Sequence, residues 1–189
     1  MILLSMSKKL LSDKIISVYS KRLQSMHEYK FTEDGDKLFV KTLIAETEQV
    51  NDLHVRTKIN DFIIESDEPE VLGGTNLAPT PMQALLASLS NCLEISALLY
   101  FSFAKLRINS LKVRVEATFD QRAILAPLKE ADLPGFYNFN VIWSIESEEK
   151  LRKIEQILKK VEKLCPVRGS FENPKRFSES VILNGKKVK

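Results

Sequence analysis

Two cysteines are the residues best suited to chemistry in this chain. Cys92 and Cys165 stand 73 positions apart, and neither belongs to a CxxC pair or has a histidine at ligand spacing. His27 and His54 are both distant in sequence. A structural zinc site groups four ligands in close pairs, so no metal is expected. Two readings stay open. The thiols could be small core hydrophobes, because free cysteine is among the most buried residue types. They could instead form a redox pair, in which one thiolate attacks and the other resolves the resulting sulfenic acid as a disulfide. Attack requires a thiolate stabilised by a cation or a helix N-terminus.

Each cysteine must be positioned by a helix. From Pro81 to Ala104 the only charge is Glu94, although charged residues make up 28% of the chain. So apolar a helix is expected to be buried on nearly every side. Leu85, Ser88, Leu89, Ile95, Ser96 and Leu99 share the face of Cys92 at helical spacing. Thr80 is placed to cap this helix and Pro81 to occupy its first position. Cys92 lies eleven residues beyond Pro81, too far for the helix dipole to suffice, so an arginine from elsewhere is needed. Glu94, two residues past Cys92, faces another way. The second helix starts near Ser147 and carries Leu151, Ile154, Leu158, Val161 and Cys165 as its apolar stripe, with Pro166 ending it.

The remaining elements are strands and an N-terminal helix. Leu11, Ile15, Val18, Tyr19 and Leu23 predict an amphipathic helix over about Ser7 to Met26, added before the main fold. Asp34-Gly35-Asp36 reads as a turn, Lys37 to Glu48 as a strand, and Leu53 to Ser66 as its hairpin partner. Asp67 to Pro81 is a loop in which Gly73-Gly74 supplies backbone freedom. Leu111 to Phe119 and Tyr137 to Ile145 alternate as half-buried antiparallel strands. Asp120 to Gly135 is a long excursion between them, and a last strand is expected near Arg176 to Leu183. The order is that of an α+β fold. Residues 1–30 form the helical extension and residues 31–189 a single domain.

Composition narrows the setting. The chain has 189 residues, 44% of them hydrophobic, enough for one good core. A net charge of +3, spread along the chain, does not make a nucleic-acid-binding stripe. Two cysteines without a secretory signal suit a reducing compartment. Polar residues inside the apolar helix, Gln83, Asn91 and Glu94 among them, argue against a membrane span. A cytoplasmic protein with no nucleic-acid or membrane partner is expected.

Several stretches taken together resemble one family. DEPEVLGGTNLAPTPMQALLASLSNC, then AKLRINSLKVRVEATFD, and later EKLCPV are similar to the OsmC/Ohr family, the osmotically inducible protein C and organic hydroperoxide resistance proteins. The resemblance runs from about Phe39 to Leu183. It implies an OsmC-like fold: two long central helices wrapped by antiparallel β-sheets, in an intertwined homodimer with active sites at the subunit interface. It implies a peroxidatic Cys92, a resolving Cys165, a small-molecule hydroperoxide as substrate, a thiol reductant and no cofactor. Organic hydroperoxide members hold an arginine against the thiolate with a glutamate about ten residues before the first cysteine. Here that position is Met82. Arg56, on the strand preceding the glycine loop, is the first candidate for the arginine, and Arg168, three residues after Cys165, is the other. Met82 also leaves room for a non-catalytic relative, a dimeric module binding a small apolar ligand or a partner.

Overall fold

The computed structural model describes residues 9–124, 134–173 and 175–188. Its N-terminal part holds α1 (Asp13–Tyr29) and α2 (Glu33–Phe39). Ser12 caps α1 through its side chain, and no residue of that helix is buried. The Asp34-Gly35-Asp36 stretch lies inside α2 and does not form the expected turn. Thr32 Oγ1 accepts the Gly35 amide, and Glu33, Asp34 and Asp36 put negative charge at the helix start, where the dipole favours it. Gly35 packs so close to the Tyr29 carbonyl that any Cβ would collide.

The expected hairpin is a three-stranded antiparallel sheet: β1 (Glu46–Asn51), β2 (His54–Ile59) and β3 (Phe62–Ser66). The first strand begins only at Glu46. Leu38 belongs to α2, and Val40, Leu43 and Ile44 are exposed, with no strand beside them among the described residues. The second predicted strand breaks at Asn60-Asp61, where Asn60 takes a left-handed φ of 53° and closes a tight turn. Among the described residues the sheet has no extensive packed interface with the helices.

The glycine loop after β3 is held by one side chain. Asp67 is 1% exposed and accepts hydrogen bonds from the amides of Glu68, Thr75 and Leu77 and from the Thr75 hydroxyl at 2.6 Å. Those donors hold its carboxyl down at about 2, with the Thr75 hydroxyl contributing most. The loop delivers the chain to α3 (Pro81–Phe103), whose N-terminus is a capping box. Thr80 Oγ1 accepts the Gln83 amide, and Gln83 Oε1 accepts the Thr80 amide.

α3 packs on β4 (Ile108–Phe119), which pairs antiparallel along its length with β5 (Phe136–Ser147). Residues 121–124 form a short 3-10 turn after β4, and most of the expected excursion, residues 125–133, lies outside the described residues. α4 (Leu151–Leu164) and α5 (Pro166–Glu172) complete the layer. Leu89, Leu93, Ala97, Phe101, Ile108, Ile154, Val161 and Cys165 make the core. Among the described residues α3 alone is long and apolar enough to cross a membrane. Its Leu89-Leu93-Ala97-Phe101 stripe faces the core instead. α3 is not buried on nearly every side, however: Leu85 is 42% and Ile95 55% exposed, so this flank has little cover among the described residues.

Two more boundaries differ from expectation. Ser147 ends β5 rather than capping α4. Its hydroxyl donates to the Arg107 carbonyl and accepts the Glu149 amide, so α4 starts after Lys150 and Leu151 is left exposed. The C-terminal strand shrinks to a small hairpin of β6 (Ile182–Leu183) and β7 (Lys186–Lys187).

Candidate functional site

The two cysteines meet. Cys165 Sγ lies 3.2 Å from Cys92 Sγ, with the Cys165 thiol donating. Both are free thiols, and a covalent bond would need an approach of about 1 Å more. Cys92 is half-buried on the side of α3 that faces α4 and α5. Cys165 is 2% exposed and sits just beyond α4, not within it, at the junction where Pro166 opens α5. Pro166 thus both ends one helix and starts the next, since its missing amide is harmless at a first helical position.

That junction governs the second thiol. Burial pushes the Cys165 thiol above its usual range, opposed by the backbone amide of Arg168 and, more weakly, that of Val167, while Cys92 adds to the rise. Cys165 is therefore held as a protonated donor pointing at Cys92. The arrangement leaves Cys92 as the accessible sulfur that receives a hydrogen bond, the role suited to an attacking thiolate. Proximity gained through a helix break between Val161 and Val167 could not be read from the stripe of α4 alone.

The candidate arginines are placed otherwise. Arg56 on β2 is bound to Glu65 on β3, its cross-strand partner, with Nε at 3.0 Å and Nη2 at 2.9 Å from Oε1. His54 Nε2 lies 3.3 Å from Glu65 Oε2. Arg56, Glu65 and His54 share one face of the sheet that stands apart from α3, so the single chain does not bring Arg56 to Cys92. The Arg168 guanidinium goes to Glu172 at 2.7 Å and Glu162 at 3.7 Å, and it is the Arg168 amide, not its charge, that serves the thiol. Among the described residues no cationic side chain hydrogen-bonds Cys92. The Arg56–Glu65 pairing was not anticipated from sequence. Alternation on two strands fixes which residues share a face, but only the turn at Asn60-Asp61 sets the register.

Glu94 faces β4, away from the thiols, as its spacing required. Burial raises its carboxyl, which the Val113 amide partly offsets, and Oε2 has no hydrogen-bond partner among the described residues. Met82 lies in the first turn of α3, about 15 Å along the helix from Cys92. It lines a cleft of about 420 Å³ with Leu72, Leu86, Phe119 and Phe136. From this cleft Phe119, Phe136, Phe139 and Phe171 stack edge to face, with centroids 5.1–5.6 Å apart, into α5 beside the cysteine junction. No group of three or more potential metal ligands occurs among the described residues.

Known proteins share this architecture. The chain aligns with an OsmC-like protein of Mycoplasma pneumoniae at 22% identity and a TM-score of 0.59, covering 70% of this chain and 88% of that one. An organic hydroperoxide resistance protein, OsmC, of Legionella pneumophila aligns at 21% identity and a TM-score of 0.53, covering 70% and 90%. An OsmC-like protein of Vibrio cholerae aligns at 13% identity and 0.54, covering 69% and 93%. At these identities the likeness shows a common fold. No curated protein sequence matches the chain. The family model for OsmC-like proteins matches residues 74–180, more than half of the sequence, including α3 with Cys92 and the α4–α5 junction with Cys165. By fold and by sequence, the chain belongs to the OsmC family.

Proposed function

We propose that the chain is a thiol-dependent peroxidase that reduces organic hydroperoxides, with Cys92 attacking and Cys165 resolving. The observation that carries this reading is the 3.2 Å contact between two free thiols of unequal exposure. In the first step the Cys92 thiolate attacks the terminal oxygen of ROOH. The O–O bond breaks, ROH leaves with one added proton, and Cys92 becomes a sulfenic acid. In the second step Cys165 sulfur displaces that oxygen as water and forms the Cys92–Cys165 disulfide. Two equivalents of a cellular thiol then return both cysteines to thiols and leave as their own disulfide. No bound cofactor enters these steps.

The open surfaces support a homodimer as the working form. The flank of α3 at Leu85 and Ile95 and the β1–β3 sheet, with Phe62 and Ile63, are apolar surfaces exposed among the described residues that a second copy would bury. Arg56, already oriented by Glu65, would reach Cys92 only from that second copy. The reducing thiol makes the cytoplasm the fitting compartment. A test uses the Cys165→Ser variant with cumene hydroperoxide and dimedone. Rapid dimedone labelling of Cys92, one per chain, is expected; a rate of Cys92 oxidation no faster than that of free cysteine contradicts the proposal.

A second reading is favoured by one observation: no cationic side chain hydrogen-bonds Cys92 among the described residues, while the Met82 cleft is largely apolar, with Glu68, Gln83 and Gln121 at its edge, and of ligand size. The chain would then be a dimeric binding module for a small apolar ligand. Thiol titration separates the two readings, since a peroxidatic Cys92 has a depressed pKa and an inert one does not.

A further inference from the structure

A second cleft, of about 480 Å³, opens between the start of the N-terminal helix and the far end of α3. Its volume falls in the roughly 300–1,000 Å³ range of small-molecule sites. Leu10, Leu11, Ile16, Leu106 and Ile108 give it an apolar floor, and Lys9, Lys105, Arg107 and Asp13 complete the charged part of its lining. Asp13 is already paired with Lys9 at 2.8 Å. The Lys105 ammonium has no ion pair among the described residues. The Arg107 amide donates to Glu149 Oε1, while Lys153 holds Oε2 of the same carboxylate at 2.8 Å. Net positive charge over an apolar floor complements an anion with a hydrocarbon tail.

The backbone at Lys105 adds an independent observation. α3 ends in a Schellman motif: the Lys105 amide bonds to the Ser102 carbonyl at 3.0 Å and the Leu106 amide to the Phe101 carbonyl at 3.2 Å. Lys105 occupies the left-handed position at φ 54°, where glycine is usual and a side chain is strained. Strain kept at a residue whose side chain borders a cavity points to a role for that side chain. A lysine near a helix C-terminus also favours the dipole, so a test must separate the two contributions.

We propose that this cleft binds the free anion of a medium-chain fatty acid, its chain over Leu10, Leu11, Ile16, Leu106 and Ile108 and its carboxylate received by Lys105 and Arg107. Ser102, on the cleft wall, is about 15 Å along α3 from Cys92, so the site is separate from the thiols and does not rest on their chemistry. The test is calorimetric titration of the full chain with decanoate, decan-1-ol and acetate. Saturable binding of decanoate is expected, about tenfold tighter than decan-1-ol, with no binding of acetate. Lys105→Gly is expected to keep or raise the melting temperature, because glycine relieves the strain, while weakening decanoate about tenfold. Ile16→Glu, on a half-buried position of α1, is expected to remove decanoate binding with helix content retained. Absence of decanoate binding, equal affinity for decanoate and decan-1-ol, or undiminished binding by Lys105→Gly would each overturn the proposal. If Lys105→Gly only lowers the melting temperature, Lys105 is a helix cap and nothing more.

Discussion

Leu93 and Ile95 stand two residues apart on α3 and report on its two flanks. Leu93 is 0% exposed within the single chain, whereas Ile95 is 55% exposed. Leu93→Ala removes three carbons, about 2.4 kcal/mol of transfer free energy at ~0.8 per methylene, plus a cavity term. The expected total is about 3–5 kcal/mol. Ile95→Ala removes the same number of carbons, but with 45% of the residue covered the single chain loses only about 1 kcal/mol. If a second copy covers this flank, Ile95→Ala also loses the remaining transfer term and leaves a cavity at the interface. Its cost then rises to about 2–4 kcal/mol and depends on protein concentration. Urea unfolding at two protein concentrations tenfold or more apart measures both variants. A cost for Ile95→Ala near 1 kcal/mol, the same at both concentrations, would refute the covered flank and with it the dimer. A cost for Leu93→Ala below 1 kcal/mol would refute the packing of α3 on the β4–β5 pair.

Other outcomes follow from the loop and the cap. Asp67→Asn should loosen the glycine loop, because Oδ2 accepts three of the donors and Oδ1 the Glu68 amide, so the NH₂ of an asparagine meets at least one N–H head-on. The Asp67 carboxyl is lowered from 3.8 to about 2 in the fold, so its contribution is fully present above pH ~4 and fades as pH falls toward 2. The difference in urea midpoint between wild type and Asp67→Asn should shrink over that window, and a constant difference would argue against ionic capping. Thr80→Ala removes one half of the capping box and should cost about 0.5–2 kcal/mol in urea unfolding. Thr80→Ser should restore most of it.

Much of this fold was legible because hydrophobic period and cap chemistry agreed. Thr80, Pro81 and the uncharged run to Phe103 define α3 from residues in direct sequence contact, and the alternation of Leu111 to Phe119 against Tyr137 to Ile145 defines the long strand pair. The failures lie where a local pattern was ambiguous. Asp34-Gly35-Asp36 has turn composition, yet Thr32 turns the same acids into a favourable helix start. Leu38, Val40 and Ile44 alternate, yet none of the described strands pairs with them. At the site, both cysteines were identifiable from helical spacing, but their contact depends on the chain direction after Pro166 and on how α4 packs against α3. Such long-range geometry leaves no local trace. The same holds for Arg56, whose bond to Glu65 depends on the register between two strands.

The central claim is that Cys92 and Cys165 form a reactive pair. Its most direct test treats the reduced protein with one equivalent of cumene hydroperoxide and maps both cysteines by mass spectrometry. Rapid, stoichiometric formation of the Cys92–Cys165 disulfide, lost when either residue is replaced by serine, is the expected result. Two intact thiols after the peroxide has been offered would contradict the claim and leave the fold as a binding module.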